Sequence, residues 1–239
     1  GSSLVDQTVI IGSQAGAGPM TADADGTVCV GYASGSAITT ATGTTAVGYE
    51  TCKTINVGDQ NTAFGYQALK SADTGEYNVA VGYQALQSNV DGSFNTAVGR
   101  MALQNFEPSS AGNGHNTGIG QASLNDVTTG QNNTAIGSNS GHDGSNNLAD
   151  GNQNTFLGSY TNGSGSGAVN QIVIGYNADG TGDNEIALGN TSVSAIKAQV
   201  TSITAYSSDE RTKKDVADYD LKGVDFIKEL KLKTYLYKN

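Results

Sequence analysis

The chain has 239 residues, a net charge of −10, and 33 glycines against two prolines and no tryptophan. The length alone allows one or two globular domains, but so glycine-rich a composition excludes an ordinary globule packed around large side chains. The acidic balance excludes binding to a nucleic-acid backbone, and no stretch is long and apolar enough to span a membrane as a helix.

The charge is uneven. Residues 1–207 carry 15 acidic and 4 basic side chains, a net of −11, whereas 208–239 carry 7 and 8, a net of +1. That shift marks a boundary near residue 207. The two cysteines, Cys29 and Cys52, fall at different places in the repeat described next. They read as small buried fillers, not as a disulfide framework or a metal site.

From Val9 onward one short phrase recurs, asparagine–threonine–alanine–aliphatic–glycine. Its glycines are Gly12, Gly31, Gly48, Gly65, Gly82, Gly99, Gly120, Gly137, Gly158, Gly175 and Gly189, with gaps of 19, 17, 17, 17, 17, 21, 17, 21, 17 and 14 residues. A period this short makes each unit one coil of a stacked β-structure, numbered 1 to 11 by these glycines. One coil buries too little to fold alone, so stability must come from stacked neighbours and from other chains. Eleven coils would make a stack of about 50 Å. A 17-residue period is not a multiple of six, which argues against the hexapeptide acyltransferase helix.

Counted from the glycine, offset −1 is large and apolar in every coil, from Ile11 to Leu188, and offset −3 is β-branched in every coil, from Val9 to Ile186. Side chains alternate along a strand, so these two share a face. Offset −2 is usually alanine, as at Ala46, Ala63, Ala80, Ala97, Ala135 and Ala187. The bulky face is expected to fill the coil interior. The small face is expected to lie against the backbone of a neighbouring subunit, because alanine and glycine permit close approach.

Offset −4 is asparagine in the central coils, from Asn61 to Asn154, and predicts a hydrogen-bonded ladder along the stack. A second short strand is expected at 67–69, 84–86 and 101–103. Turns are expected at Asp73-Thr74-Gly75, Asp91-Gly92, Asn113-Gly114, Asp143-Gly144 and Asp179-Gly180. The two 21-residue gaps place insertions at about 104–115 and 141–153, which in solenoids emerge as surface loops. Tyr32, Tyr49, Tyr66, Tyr83 and Tyr176 at offset +1 form a partial column. Packing between coils explains it more simply than stacking on sugar rings. Asp23–Thr27 reads as a solvated turn, since it lacks the spacing of a calcium loop. His115 and His142 read as surface residues without ligand-spaced partners.

The repeated NTAVG and NTAIG phrases over about residues 8–190 resemble the head domain of trimeric autotransporter adhesins. The resemblance implies a left-handed parallel β-roll in which three chains pack side by side. After Gly189, Thr191–Tyr206 keeps β-branched alternation but loses the glycine register, and reads as a β-stalk or neck over 191–207. The phrase Ser208-Asp209-Glu210-Arg211-Thr212-Lys213 then resembles the opening of the intramolecular chaperone domain of phage endosialidases and tail fibres. The likeness continues through Val224–Leu230, expected as an amphipathic helix, and Leu232–Tyr237, expected as a strand. It implies trimerisation and self-cleavage at the Ser207–Ser208 bond, with Ser208 as nucleophile and Lys213 as general base. A serine hydroxyl needs such a base, and a lysine can serve when burial or nearby cations depress its pKa. Thr212 stands where that family has an aliphatic residue, and only the opening of the domain is present. Self-cleavage is therefore expected to be inactive in this chain.

The expected organisation is an all-β homotrimeric solenoid over 1–190, a neck over 191–207 and the start of a chaperone over 208–239. The expected function is that of a phage tail fibre, in the virion and made in the host cytoplasm. It would attach to a host surface polysaccharide or another envelope receptor and join other tail proteins. No substrate turnover, cofactor, metal, nucleic acid or membrane insertion is expected, and the receptor-binding residues are unknown. A shaft spacer and a bacterial surface adhesin are the alternative readings. A glycan-degrading enzyme is disfavoured, because no paired carboxylates recur at matching places in the coils.

Overall fold

The short β-branched runs form strands as the alternation requires. A computed structural model of the protein describes residues 7–108, 113–142 and 148–195, with Ala22 described in its backbone only. Contacts divide the chain into two units, Gly1–Ser194 and Ala195–Asn239; the second, apart from Ala195, lies outside the described residues.

The strands are β1 (Val9–Ile11), β2 (Val28–Val30), β3 (Thr45–Val47), β4 (Thr62–Phe64), β5 (Val79–Val81) and β6 (Thr96–Val98). They continue as β7 (Thr117–Ile119), β8 (Thr134–Ile136), β9 (Thr155–Leu157), β10 (Ile172–Ile174) and β11 (Ile186–Leu188). All eleven join one sheet in chain order. Every neighbouring pair is parallel and aligned offset to offset, as in Ala46↔Ala63 and Ala80↔Ala97. The protein is therefore an all-β parallel solenoid with one strand per coil at offsets −3 to −1.

The sheet faces the opposite way from the sequence-based expectation. The small offset −2 points inward: Cys29, Ala46, Ala63, Ala80, Ala97, Ala135, Phe156 and Val173 are all completely buried. Offsets −3 and −1 point outward and are half-buried or exposed. The reason is space. The coil interior is filled from other walls, by Leu69, Leu86, Leu103 and Leu124 at offset +4 and by Ile38, Ile55, Phe106 and Val127 at offset +7. Opposite such residues only a small side chain fits. The exceptions obey the same rule. Where Phe156 occupies offset −2, the wall beside it is Gly141, whose added Cβ would lie 3.3 Å from the Phe156 ring. Both cysteines are buried and free, and burial pushes the Cys29 thiol up to about 11 and the Cys52 thiol further still.

The close backbone approach at the repeat glycine also lies within the chain, not against another subunit. Gly65 has φ +136°, and a Cβ there would sit 2.5 Å from the carbonyl oxygen of Gly82. The same contact recurs from Gly12 to Gly158, each glycine against that of the next coil. No other residue fits this column.

Residues 67–69, 84–86 and 101–103 are turns, not a second strand. Gln67, Leu69, Gln84, Leu86, Met101 and Leu103 all have φ between +49° and +59°. The chain must corner here to close the coil, and left-handed residues make the corner. Non-glycine residues pay for that conformation. The return is burial of each leucine and a bond to the next coil, such as Leu69 N–H to Ala85 O at 2.9 Å.

The asparagine ladder forms. Asn78 N–H donates to Asn61 Oδ1 (2.9 Å), Asn95 N–H to Asn78 Oδ1 (3.0 Å) and Asn116 N–H to Asn95 Oδ1 (3.1 Å). The amide groups then donate to carbonyls of the next turn, as Asn78 Nδ2 does to Gly92 O at 2.8 Å. These side chains are buried, and the ladder is what makes their burial affordable.

Candidate functional site

The outer face of the sheet is the distinctive surface of the described residues. Alternation puts offsets −3 and −1 on it, and exposed columns at offsets −5 and +1 flank them. Its apolar members include Ile11 at 60 %, Phe64 at 57 % and Leu157 at 46 % exposure. Isolated apolar side chains on a surface need no explanation, but an unbroken apolar column at offset −1, beside β-branched valine, isoleucine or threonine at offset −3, marks an interaction site. At about 4.8 Å per coil and about 3.3 Å per residue, the face covers on the order of 800 Å² or more, the per-partner area of a standard stable interface.

Aromatic columns border the face on both sides. Tyr32, Tyr49, Tyr66 and Tyr83 at offset +1 stack with centroids 5.2 Å apart and planes within 17° of parallel. Arg100 continues the column, its guanidinium carbon 5.7 Å from the Tyr83 ring centroid. At offset −5, Tyr77, Phe94 and His115 stack at 5.0 and 4.8 Å. Each of these three residues is left-handed, with φ of +57°, +61° and +59°. The sequence reading missed this second column, although its signal was available in aromatic residues five positions before three successive repeat glycines. Stacking also decides what the tyrosines can do. Each inner ring has both faces covered by its neighbours, so sugar rings cannot lie on them, and packing between coils is their role.

Beyond the tyrosines lies a polar cluster. The buried Glu50 accepts from Lys53 Nζ (2.6 Å), Lys70 Nζ (2.9 Å) and Gln67 Nε2 (2.9 Å). Those three donors, Lys53 first, hold its carboxyl down at about 2. An amide relay runs onward: Gln84 donates to Gln67 (3.1 Å), Gln104 to Gln84 (2.9 Å) and Asn125 to Gln104 (3.3 Å).

The other candidates resolve as follows. Asp23 sits in a short 3-10 turn, Ala22–Ala24, capped by Thr21. His142 is not without a partner: its Nδ1 lies 2.5 Å from Asp126 Oδ2. Among the described residues no group of three or more His, Cys, Asp or Glu side chains could hold a metal ion. The expected self-cleavage pair Ser208 and Lys213, the Ser207–Ser208 bond and the helix at 224–230 lie outside the described residues, as do parts of both insertions. The neck is described only as far as Ala195, where Thr191 and Ser192 form a turn. No model of a known protein family matches the chain, and no curated protein matches it.

Proposed function

We propose that this chain is the solenoid segment of a homotrimeric phage tail fibre that attaches the particle to a bacterial surface. The single observation behind the assembly is the outer face, eleven strands long, whose apolar column at offset −1 is left half-buried or exposed among the described residues. Burying such a face against sister copies is favourable by about 25 cal/mol for each Å² of apolar surface removed from water. The assignment to a phage fibre rests on the resemblance of residues 208–239 to an intramolecular chaperone. In such a fibre, attachment comes from a rigid scaffold, repeated weak contacts and threefold avidity. Ser208 and Lys213 are the proposed self-cleavage residues.

The test combines solution mass with intact mass of the full chain. Three associated chains are expected, with the Ser207–Ser208 bond whole. A monomer at all concentrations would remove the basis for this reading. Host attachment is tested by adding the folded trimer to susceptible cells, where retention on the envelope is expected. A second reading, a purely structural shaft spacer, draws support from the covered faces of the stacked tyrosines, which leave no ready platform for sugars. A trimer that binds no susceptible envelope would favour it.

A further inference from the structure

The polar row beyond the tyrosines has a direction built into it. Two columns interdigitate there: offset +2 with Glu50, Gln67 and Gln84, and offset +5 with Lys53, Lys70, Gln87, Gln104 and Asn125. A carboxylate only accepts hydrogen bonds, so Gln67 must turn its amide N–H to Glu50 and its oxygen away. That oxygen accepts from Gln84 (3.1 Å) and from Gln87 (2.9 Å). Gln104 donates in turn to the oxygens of Gln84 and Gln87, both at 2.9 Å, and Asn125 donates to that of Gln104 at 3.3 Å. One buried carboxylate thus orients the side chains of coils 3–7.

This direction sets what the row can offer. Every side-chain oxygen from Glu50 to Gln104 already holds an N–H, whereas donors are left over. Among the described residues, Lys53 and Lys70 each give one of three N–H groups to Glu50, and Gln84 and Gln87 each give one of two to Gln67. All four side chains are half-buried, so their spare donors border solvent. Arg100, one position before the +2 column, is exposed, and its guanidinium lies over the Tyr83 ring without an ion pair among the described residues. A surface of spare donors selects a ligand made of acceptors.

Spacing and charge narrow the class. Equivalent donors recur at the coil spacing of about 4.8 Å. An extended β-linked polysaccharide advances by about one such step per sugar, so successive sugars meet successive coils. Carboxylate and acetamido carbonyl oxygens are the strong acceptors that such a chain carries. Two lysines against one carboxylate leave the Glu50 triad at +1, and Arg100 adds a second positive charge. In a body of net charge −11, that suits carboxylates set apart along a glycan, not the phosphates of a nucleic acid at one for each ~1.7 Å of duplex. The inner tyrosine faces are covered, so the sugars are held at their edges by hydrogen bonds and not by stacking.

We propose that the row binds an extended acidic polysaccharide bearing carboxylate and acetamido groups, laid along coils 3–6. Lys53, Lys70, Gln84 and Gln87 donate to it, and Glu50 is the positioning residue that aims them. This rests on the attachment proposed above and gives it a place on the chain and a ligand chemistry.

The test uses the full chain and two probes: a hyaluronan octasaccharide, in which glucuronate alternates with N-acetylglucosamine, and cellohexaose, which has neither group. Titration is expected to show binding of the first and at least roughly tenfold weaker binding of the second. The double change Gln84→Ala with Gln87→Ala, and separately Lys70→Gln, are each expected to weaken octasaccharide binding about three- to tenfold with the thermal melt retained. Lysine acetylation read by mass spectrometry places the ligand. The octasaccharide should shield Lys53 and Lys70 and leave the lysines of 208–239 reactive, and this readout decides the matter if a variant fails to fold. Equal binding of both probes, full affinity in the folded variants, shielding confined to 208–239, or a folded chain that ignores the octasaccharide each overturns the inference. Retention on susceptible cells is measured alongside. A chain retained there that ignores the octasaccharide loses this site and keeps the attachment reading. A chain that binds the octasaccharide along the row but is held by no envelope keeps the site and loses that reading.

Discussion

Coils 3–6 and coils 8–11 solve one packing problem in two ways. Between Gly48 and Gly99 every gap is 17 residues, and each offset stacks on itself. Tyr49, Tyr66 and Tyr83 lie parallel on one another, Asn61, Asn78 and Asn95 are hydrogen-bonded in series, and in coils 4–6 a buried alanine at offset −2 accompanies a buried leucine at offset +4. Between Gly137 and Gly189 the gaps are 21, 17 and 14 residues, and the columns break. Tyr160 at offset +2 meets Tyr176 at offset +1 edge to face, at 6.0 Å and 80°. Gln171 replaces asparagine, keeps the ladder bond to Asn154 Oδ1 at 3.0 Å, and sends its longer side chain to Ser164 at 2.6 Å. Phe156 and Gly141 exchange bulk across the core. A constant period yields ladders for free; a varying one requires compensation residue by residue.

The largest effect is expected where the two regions share a rule. Gly65→Ala places a Cβ 2.5 Å from a backbone oxygen at a φ that only glycine adopts readily, and should cost about 5 kcal/mol or more in a denaturant melt. Its control is Gly165→Ala in the irregular region, where no atom lies within 4 Å of the new Cβ. That change should be neutral or stabilise by up to about 1 kcal/mol. Comparable losses at both sites would show that the glycine column is not special.

Next in size is the exchange at coil 9. Phe156→Ala empties a fully buried site and should cost about 3–5 kcal/mol. Adding Gly141→Leu recreates the pairing of coils 4–6 once the Leu124 side chain, whose Cδ2 lies 2.6 Å from the new Cβ, swings aside; leucine at offset +4 is already left-handed at Leu124, with φ +51°. Part of the loss should return in the double variant. If Gly141→Leu only adds to the damage, bulk is not exchanged between these walls.

A smaller effect is expected from Asn95→Ala. It leaves the buried Asn116 N–H without its side-chain acceptor, and should lower stability by about 1–3 kcal/mol. Faster hydrogen exchange at the Asn116 amide would locate the damage.

The smallest effect is a pH dependence confined to the regular coils. The folded Glu50 carboxyl is held near 2, below its ordinary 4.5. Its contribution is therefore complete above about pH 4.5 and lost as pH falls toward 2. Glu50→Gln should flatten that part of the stability profile. An unchanged acid limb would mean that Lys53 and Lys70 do not stabilise the carboxylate in solution.

The repeat made much of this legible. The glycine spacing located all eleven strands, and Asn61 to Asn154 announced their ladder. Alternation separated two faces of each strand but carried no sign, and bulk was a misleading guide to the inside. The better signal was a count of walls. Leu69, Leu86 and Leu103 recur four residues after the glycine, so each coil already holds its large core residue, and only a small one fits opposite. The corners at those leucines read as strand because β-structure and a chain of left-handed turns share the same inter-coil hydrogen bonding. The cluster of Glu50, Lys53 and Lys70 was visible only as composition, since Lys70 reaches Glu50 only once the coils stack.

From the residues alone follow the period, the parallel stacking and the places where only glycine or asparagine fits, because each is a local demand repeated at one spacing. Which side of the sheet is inner, and which side chains flank the outer one, followed only from the closed coil. Closure sets how much volume lies between facing walls, and that volume is a property of the whole turn, shared among residues far apart in the chain.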